Sequence, residues 1–255
     1  MNRRGVAVIA GAVVTALLGA GAGLLPLPYV VLEPGPTIDV LGSKDGKQVI
    51  TVTGTEASVS AGQLRMTTVE VQTDVGLGEA ASSWFDDTRA LVPRSVVFPP
   101  DKTTKQVDTQ NAEQFTSSQT SAEKVALREL GYPPEKTAPF TVAIDLDKIG
   151  GPSAGLIFTL GIIDKLTPAD LTGGRIIAGT GIIDDDGKVG PIGGIPQKLV
   201  GARSDGAELF LVPAANCAEA SRNTVPGLTL AKVATVTDAL TALRTYTTGG
   251  TPTPC

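Results

Sequence analysis

Apolar and polar positions fall into three regimes along the chain. One unbroken apolar run follows Met1-Asn2-Arg3-Arg4, from Gly5 to about Leu27. Beyond it, short β-branched stretches separated by Gly and Pro continue to about residue 139. Residues 49–53 and 63–71 are predicted strands, with Gly54 and Gly62 near the turns. Residues 90–98 are ambiguous because Pro93 interrupts them. Residues 111–130 give the clearest helical pattern, stopped by Gly131. From Phe140 strands and helices alternate: strand 141–146, helix 153–166, strand 175–183, helix 196–204, strands 208–212 and 229–233, helix 236–246. This order predicts a mixed α/β or α+β fold, with no internal repeat. The expected divisions are an anchor at 1–31, a β-rich and helical portion at 32–139, a second region at 140–247 and a tail at 248–255. Trp84 and Phe85 are expected in the core of the 32–139 portion.

The first run is about 23 residues, or about 35 Å as a helix, long enough to span a bilayer. Arg3 and Arg4 would stay cytoplasmic and place the rest outside. A cleaved signal peptide is the alternative, since Ala20-Gly21-Ala22 resembles a cleavage site; the length of the run favours an uncleaved anchor. Cys217 and Cys255 would then meet an oxidising space. One disulfide would pin the Gly/Thr/Pro-rich tail; two free thiols are the alternative. A net charge of −5 without a basic cluster argues against nucleic acid as a partner. So does the low aromatic content.

The candidate chemistry lies in two glycine-rich segments, Gly150-Gly151-Pro152-Ser153-Ala154-Gly155 and Pro191-Ile192-Gly193-Gly194-Ile195-Pro196-Gln197-Lys198. The chain has no histidine, so a Ser-His-Asp triad is impossible and a nucleophilic serine would need a lysine base. Ser153 precedes an apolar helical run. Its hydroxyl is either a helix N-cap or a nucleophile beside free helix N–H groups. Lys198 falls in the first turn of the 196–204 helix, where apolar burial and the helix dipole both disfavour the ammonium. Asp184-Asp185-Asp186-Gly187 lacks the spacing of a calcium loop and predicts a hairpin turn. The Gly150 loop lacks the lysine of a phosphate-binding loop. No cofactor and no metal are expected. Asp145, Asp147 and Lys148 are expected at a solvated strand end, whose backbone edge is open to an extended peptide.

These segments resemble the Lon-type serine-lysine peptidases, whose signature runs Pro-Ser-Ala-Gly, then Thr-Gly on a strand, then Pro-Ile-Gly-Gly with a lysine after three more residues. Here these are Pro152 to Gly155, Thr180-Gly181 and Pro191 to Lys198, within a resemblance spanning about residues 140–244. It implies a Lon proteolytic-domain fold, with Ser153 as nucleophile, Lys198 as general base and Thr180 orienting the lysine. Gly151 and Ala154 would support the nucleophile, with N–H groups around Ser153 and Ala154 holding an oxyanion. Glu33-Pro34-Gly35-Pro36-Thr37, Asp164 to Pro168, Leu171 to Gly174, Val212-Pro213-Ala214 and Asn216-Cys217 are similar to the membrane-anchored Lon-like proteins of Gram-positive bacteria. Those relatives usually carry a PDZ module, for which residues 133–140 leave no room. Gly150 and Ile182 stand where many Lon peptidases have acidic residues. The resemblance implies an ATP-independent serine endopeptidase acting on extracytoplasmic or membrane-proximal proteins. The alternative is a non-catalytic envelope protein that binds peptides or a membrane partner.

Overall fold

A computed structural model of the chain describes residues 3–24, 26–133, 135–146 and 151–255. In chain order the first elements are α1 (Arg3–Leu24), β1 (Tyr29–Asp39), β2 (Ser43–Lys44), β3 (Lys47–Gln48), β4 (Ile50–Thr53) and β5 (Gln63–Gln72). Next come α2 (Leu77–Trp84), β6 (Ala90–Pro93), α3 (Arg94–Val97), α4 (Thr104–Glu129), β7 (Thr141–Ile144) and α5 (Gly155–Leu166). The last third holds β8 (Ile176–Gly179), β9 (Ile182–Ile183), β10 (Val189–Gly190), α6 (Ile195–Ser204), β11 (Leu209–Pro213), α7 (Cys217–Ala220), β12 (Thr229–Val233) and α8 (Val236–Thr247). The fold is mixed α+β. It divides into a smaller unit, Met1–Glu33 with Glu70–Asp101, and a larger one, Pro34–Val69 with Lys102–Cys255. The boundary expected at 139/140 falls inside the larger unit.

The larger unit is built on strands in the order β12-β11-β8-β5-β1. β5, β8, β11 and β12 are parallel, with Leu64 opposite Ile177, Leu209 opposite Ile177 and Phe210 opposite Leu230. Every position of β11 is buried, as expected of a parallel strand covered on both faces. Its side chains alternate between two cores. Leu209 and Leu211 join Phe158, Ile162 and Leu243 under α4, α5 and α8. Phe210 and Val212 join Ile195, Leu199 and Ala220 under α6 and α7.

α5 is buried from Gly155 through Asp164, which accounts for its nearly unbroken apolar sequence. Phe115 of α4 meets Phe158 of α5 edge to face, with ring centroids 5.7 Å apart. Gly161 allows close packing, because an added Cβ would lie 2.7 Å from Ile50 Cδ1 and 2.8 Å from Val40 Cγ2 and force those side chains to shift. In the smaller unit, the first residues of β1 pair antiparallel with β6, Tyr29 opposite Pro93 and Leu32 opposite Ala90. There Arg89 is ion-paired to both Glu33 and Glu79.

Several expectations are corrected. α4 begins at Thr104 rather than 111, because Thr103 and Gln106 form a reciprocal capping box. The strand expected over 175–183 breaks into β8 and β9 at Thr180-Gly181. β1, for which the sequence pattern offers no prediction, runs through Pro34 and Pro36. Pro93 ends β6, and helix α3 follows immediately. Trp84 and Phe85 are not core residues: they are 77% and 87% exposed. The first apolar run forms α1, but among the described residues no helix is long and apolar enough to cross a membrane. The fold therefore lends the spanning expectation no support. The Asp184 segment is the turn of the β9–β10 hairpin, with Gly187 at φ +82° and its N–H on the Asp184 carbonyl at 2.9 Å.

Cys217 and Cys255 are disulfide-bonded, their Cα atoms 4.9 Å apart. The tail is also held by backbone, since the Lys232 N–H donates to the Thr253 carbonyl at 2.9 Å. The bond closes a loop across a sequence separation of 38, which in the unfolded chain costs conformational freedom. Replacing both cysteines by serine should lower stability by about 2–4 kcal/mol. Denaturant melts with and without reductant check this: reductant should shift the native chain and leave the double variant unchanged.

Candidate active site

The loop ahead of α5 is fixed before any substrate arrives. Gly151 adopts φ +87°, and its N–H donates to the Asn111 carbonyl of α4 at 2.9 Å. The Ser118 hydroxyl of α4 donates to the Pro152 carbonyl at 3.2 Å. The Ser153 carbonyl accepts the Gly181 N–H at 2.8 Å and the Thr180 hydroxyl at 3.1 Å. In return the Leu156 N–H donates to the Gly181 carbonyl at 3.1 Å. The loop is therefore clamped between α4 and the break after β8.

Ser153 is not a helix cap. The cap position of α5 is Ala154, without a side-chain capping bond. Among the described residues the Ser153 hydroxyl has no hydrogen-bond partner, and the N–H groups of Ser153 and Ala154 find no acceptor. An N–H pair at a helix start, beside a free hydroxyl, is the arrangement that can hold a developing oxyanion. Gly150, Asp147 and Lys148 lie outside the described residues. Asp145 pairs with Lys47 at 3.7 Å in an exposed position, and Ile182 is a hairpin residue opposite Gly190.

Thr180 stands where the strand breaks. Gly181 takes φ +154°, and a Cβ there would fall 2.6 Å from Val189 Cγ1. The break leaves Thr180 fully buried, with its hydroxyl donating to the Ser153 carbonyl. The same oxygen accepts from Lys198 Nζ at 3.1 Å.

Lys198 is delivered by α6. Gly194, at φ 72° and ψ 35°, turns the chain into that helix, and a Cβ there would meet Val69 Cγ2 at 2.6 Å. The Lys198 N–H closes the first turn on the Gly194 carbonyl at 3.1 Å. Its side chain is buried, 4% exposed. Among the described residues no carboxylate pairs with it. Burial alone draws its pKa down to about 8, since an ammonium loses hydration with no counter-ion in return.

Three further residues were not legible from the motifs. Asn111 and Ser118 pin the serine loop from α4. Asn216 holds the glycine-rich loop before α6: its carboxamide accepts the Ile192 N–H and donates to the Ile192 carbonyl, both at 2.9 Å. No local signal marks the α4 residues, which lie far from Ser153 in sequence. Asn216 was visible only as a neighbour of Cys217.

Residues 143–243 match the Lon protease (S16) C-terminal proteolytic domain. The match supports a Lon-type serine peptidase. It covers Ser153, Thr180 and Lys198, and it begins within β7 of the larger unit.

The buried lysine should show in the stability of the chain. An ordinary lysine keeps its proton to about pH 10.4, whereas folded Lys198 releases it near pH 8. Between these values the unfolded chain binds more protons, so stability rises with pH. Below pH 8 the buried charge carries its full penalty, about 3 kcal/mol. Lys198→Met should therefore be more stable than the native chain at pH 7, and the difference should shrink toward pH 10.4. Denaturant titrations across that range check it.

Proposed function

We propose that the chain is an ATP-independent serine endopeptidase working through a Ser153–Lys198 dyad. The observation that carries this reading is the Lys198 amine: buried, without a counter-ion among the described residues, and bonded to a hydroxyl that itself bonds the backbone of Ser153. The neutral amine donates one N–H to Thr180, which leaves its lone pair to accept a proton from the Ser153 hydroxyl. Ser153 Oγ then attacks the peptide carbonyl, and the N–H groups of Ser153 and Ala154 stabilise the oxyanion. The lysine passes the proton to the leaving amine, giving an acyl-enzyme that water hydrolyses with the same lysine as base. Gly151 allows the tight loop in front of the nucleophile.

Substrates in this reading are unfolded segments of extracytoplasmic or membrane-proximal proteins, and the apolar run from Gly5 to about Leu27 anchors the chain with its C-terminal region outside the cytoplasm, a reading carried by the sequence and not by the fold. The Cys217–Cys255 bond suits that oxidising space, and the sequence motifs suit an anchored Lon-like protein lacking a PDZ module. No step uses ATP or a cofactor.

Ser153→Ala and Lys198→Met should each lower kcat/KM on an unstructured peptide by about 10²–10⁴-fold, with the double variant little worse than either. Lys198→Arg should be equally inactive, since guanidinium keeps its proton. Thr180→Val should lose about 10–100-fold through a hydrogen bond of roughly 1.5–3 kcal/mol. In the native chain kcat/KM should climb with pH and level off above about 8, where Lys198 is neutral. Turnover by purified Ser153→Ala within about tenfold of the native chain would overturn the dyad, and no acylation of Ser153 by a serine-directed probe would leave a peptide-binding role. Stimulation by ATP, or a topology reporter placing the C-terminal region in the cytoplasm, would refute the corresponding parts.

A further inference from the structure

α2 carries its apolar stripe outward. Leu77, Ala81, Trp84 and Phe85 follow the i, i+4, i+7, i+8 spacing of one helix face, running into the cap residue. Leu77 is 50% exposed, and the two aromatics are exposed further still. The polar residues turn the other way: Ser83 is buried with its hydroxyl on the Glu79 carbonyl at 2.8 Å, and Glu79 is ion-paired to Arg89. A single exposed apolar residue needs no explanation. A one-sided stripe ending in two large aromatics marks a surface that is covered in the working protein.

We propose that this stripe rests in the interfacial layer of a lipid bilayer, beside the C-terminal end of α1. The inference rests on the reading above that α1 enters the membrane. What ties the two helices is backbone: the Leu27 N–H donates to the Val75 carbonyl at 2.8 Å. Leu27 lies three residues beyond Leu24, where α1 ends, and Val75 two before Leu77, where α2 begins. Three residues reach at most about 10 Å. An α1 buried in hydrocarbon thus delivers α2 to the depth of the headgroups, where tryptophan concentrates. The stripe has no basic residue and is followed by Asp86 and Asp87. Its contact with lipid is therefore apolar and needs no anionic headgroup.

Trp84 is the only tryptophan of the chain, so its fluorescence reports this surface alone. The full chain is reconstituted into phosphatidylcholine vesicles carrying spin-labelled lipids, labelled either near the headgroup or near the acyl-chain end. The expected result is flotation with the vesicles, blue-shifted Trp84 emission, and stronger quenching by the shallow label than by the deep one. Leu77→Asp with Phe85→Asp should keep flotation through α1, shift the emission back to the red and lose most of the quenching, with peptide turnover unchanged. A chain that does not float overturns the anchor reading and this inference with it. A chain that floats with Trp84 red-emitting and unquenched overturns the inference alone. Blue emission without lipid quenching also overturns it, and assigns the stripe to a protein partner.

Discussion

A single buried hydroxyl joins the two glycine-rich segments. Thr180 Oγ1 donates to the backbone of the serine loop and accepts from the lysine amine, so the distance between Ser153 and Lys198 is set through one atom. A threonine in mid-strand would present this hydroxyl along a regular ladder. Here the strand breaks after Gly179, and Gly181 takes a backbone conformation that no other residue adopts easily. The break frees the Gly181 N–H and carbonyl to bond both sides of the α5 start. Burial then does the electrostatic work: exclusion of water draws the lysine pKa down to about 8, with no opposing charge among the described residues.

Around this atom the two helical layers have different tasks. α4 and α5 lie in the layer that fixes the serine loop, α4 through Asn111 and Ser118. α6, in the other layer, brings the lysine, and its entry loop is held by Asn216 next to the disulfide. The parallel strands between them carry buried side chains on both faces, so neither layer can shift without disturbing the sheet. Such rigidity suits the dyad proposed above, whose base would lose rate if displaced.

The elements around the site were largely legible in the sequence. Strand 229–233 and the helices ending at Leu166 and Ser204 follow directly from periodicity and from Pro and Gly punctuation. The Pro-Ser-Ala-Gly and Pro-Ile-Gly-Gly motifs located the serine and the lysine because tight turns demand glycine at fixed offsets. Long-range pairing was not legible. β1 overrides its two prolines through tertiary contacts, and the α4 clamps on the serine loop leave no local trace. Trp84 and Phe85 carry no sequence mark that separates an outward apolar stripe from a buried one. The capping box of Thr103 and Gln106 is a local signal for the start of α4.

The register of β5 against β8 has a consequence for how the chain is made. Gln63 pairs with Ile176 and Met66 with Gly179, and no nearer strand in sequence offers β5 that edge. At a synthesis rate of about 5–20 residues per second, the early strand waits roughly 6–20 s for its neighbour to leave the ribosome. The β2–β3 hairpin and α4 can form during this interval, but the central sheet cannot close. Newly made chains must pass through a state with an open strand edge, the condition in which association between nascent molecules competes with folding.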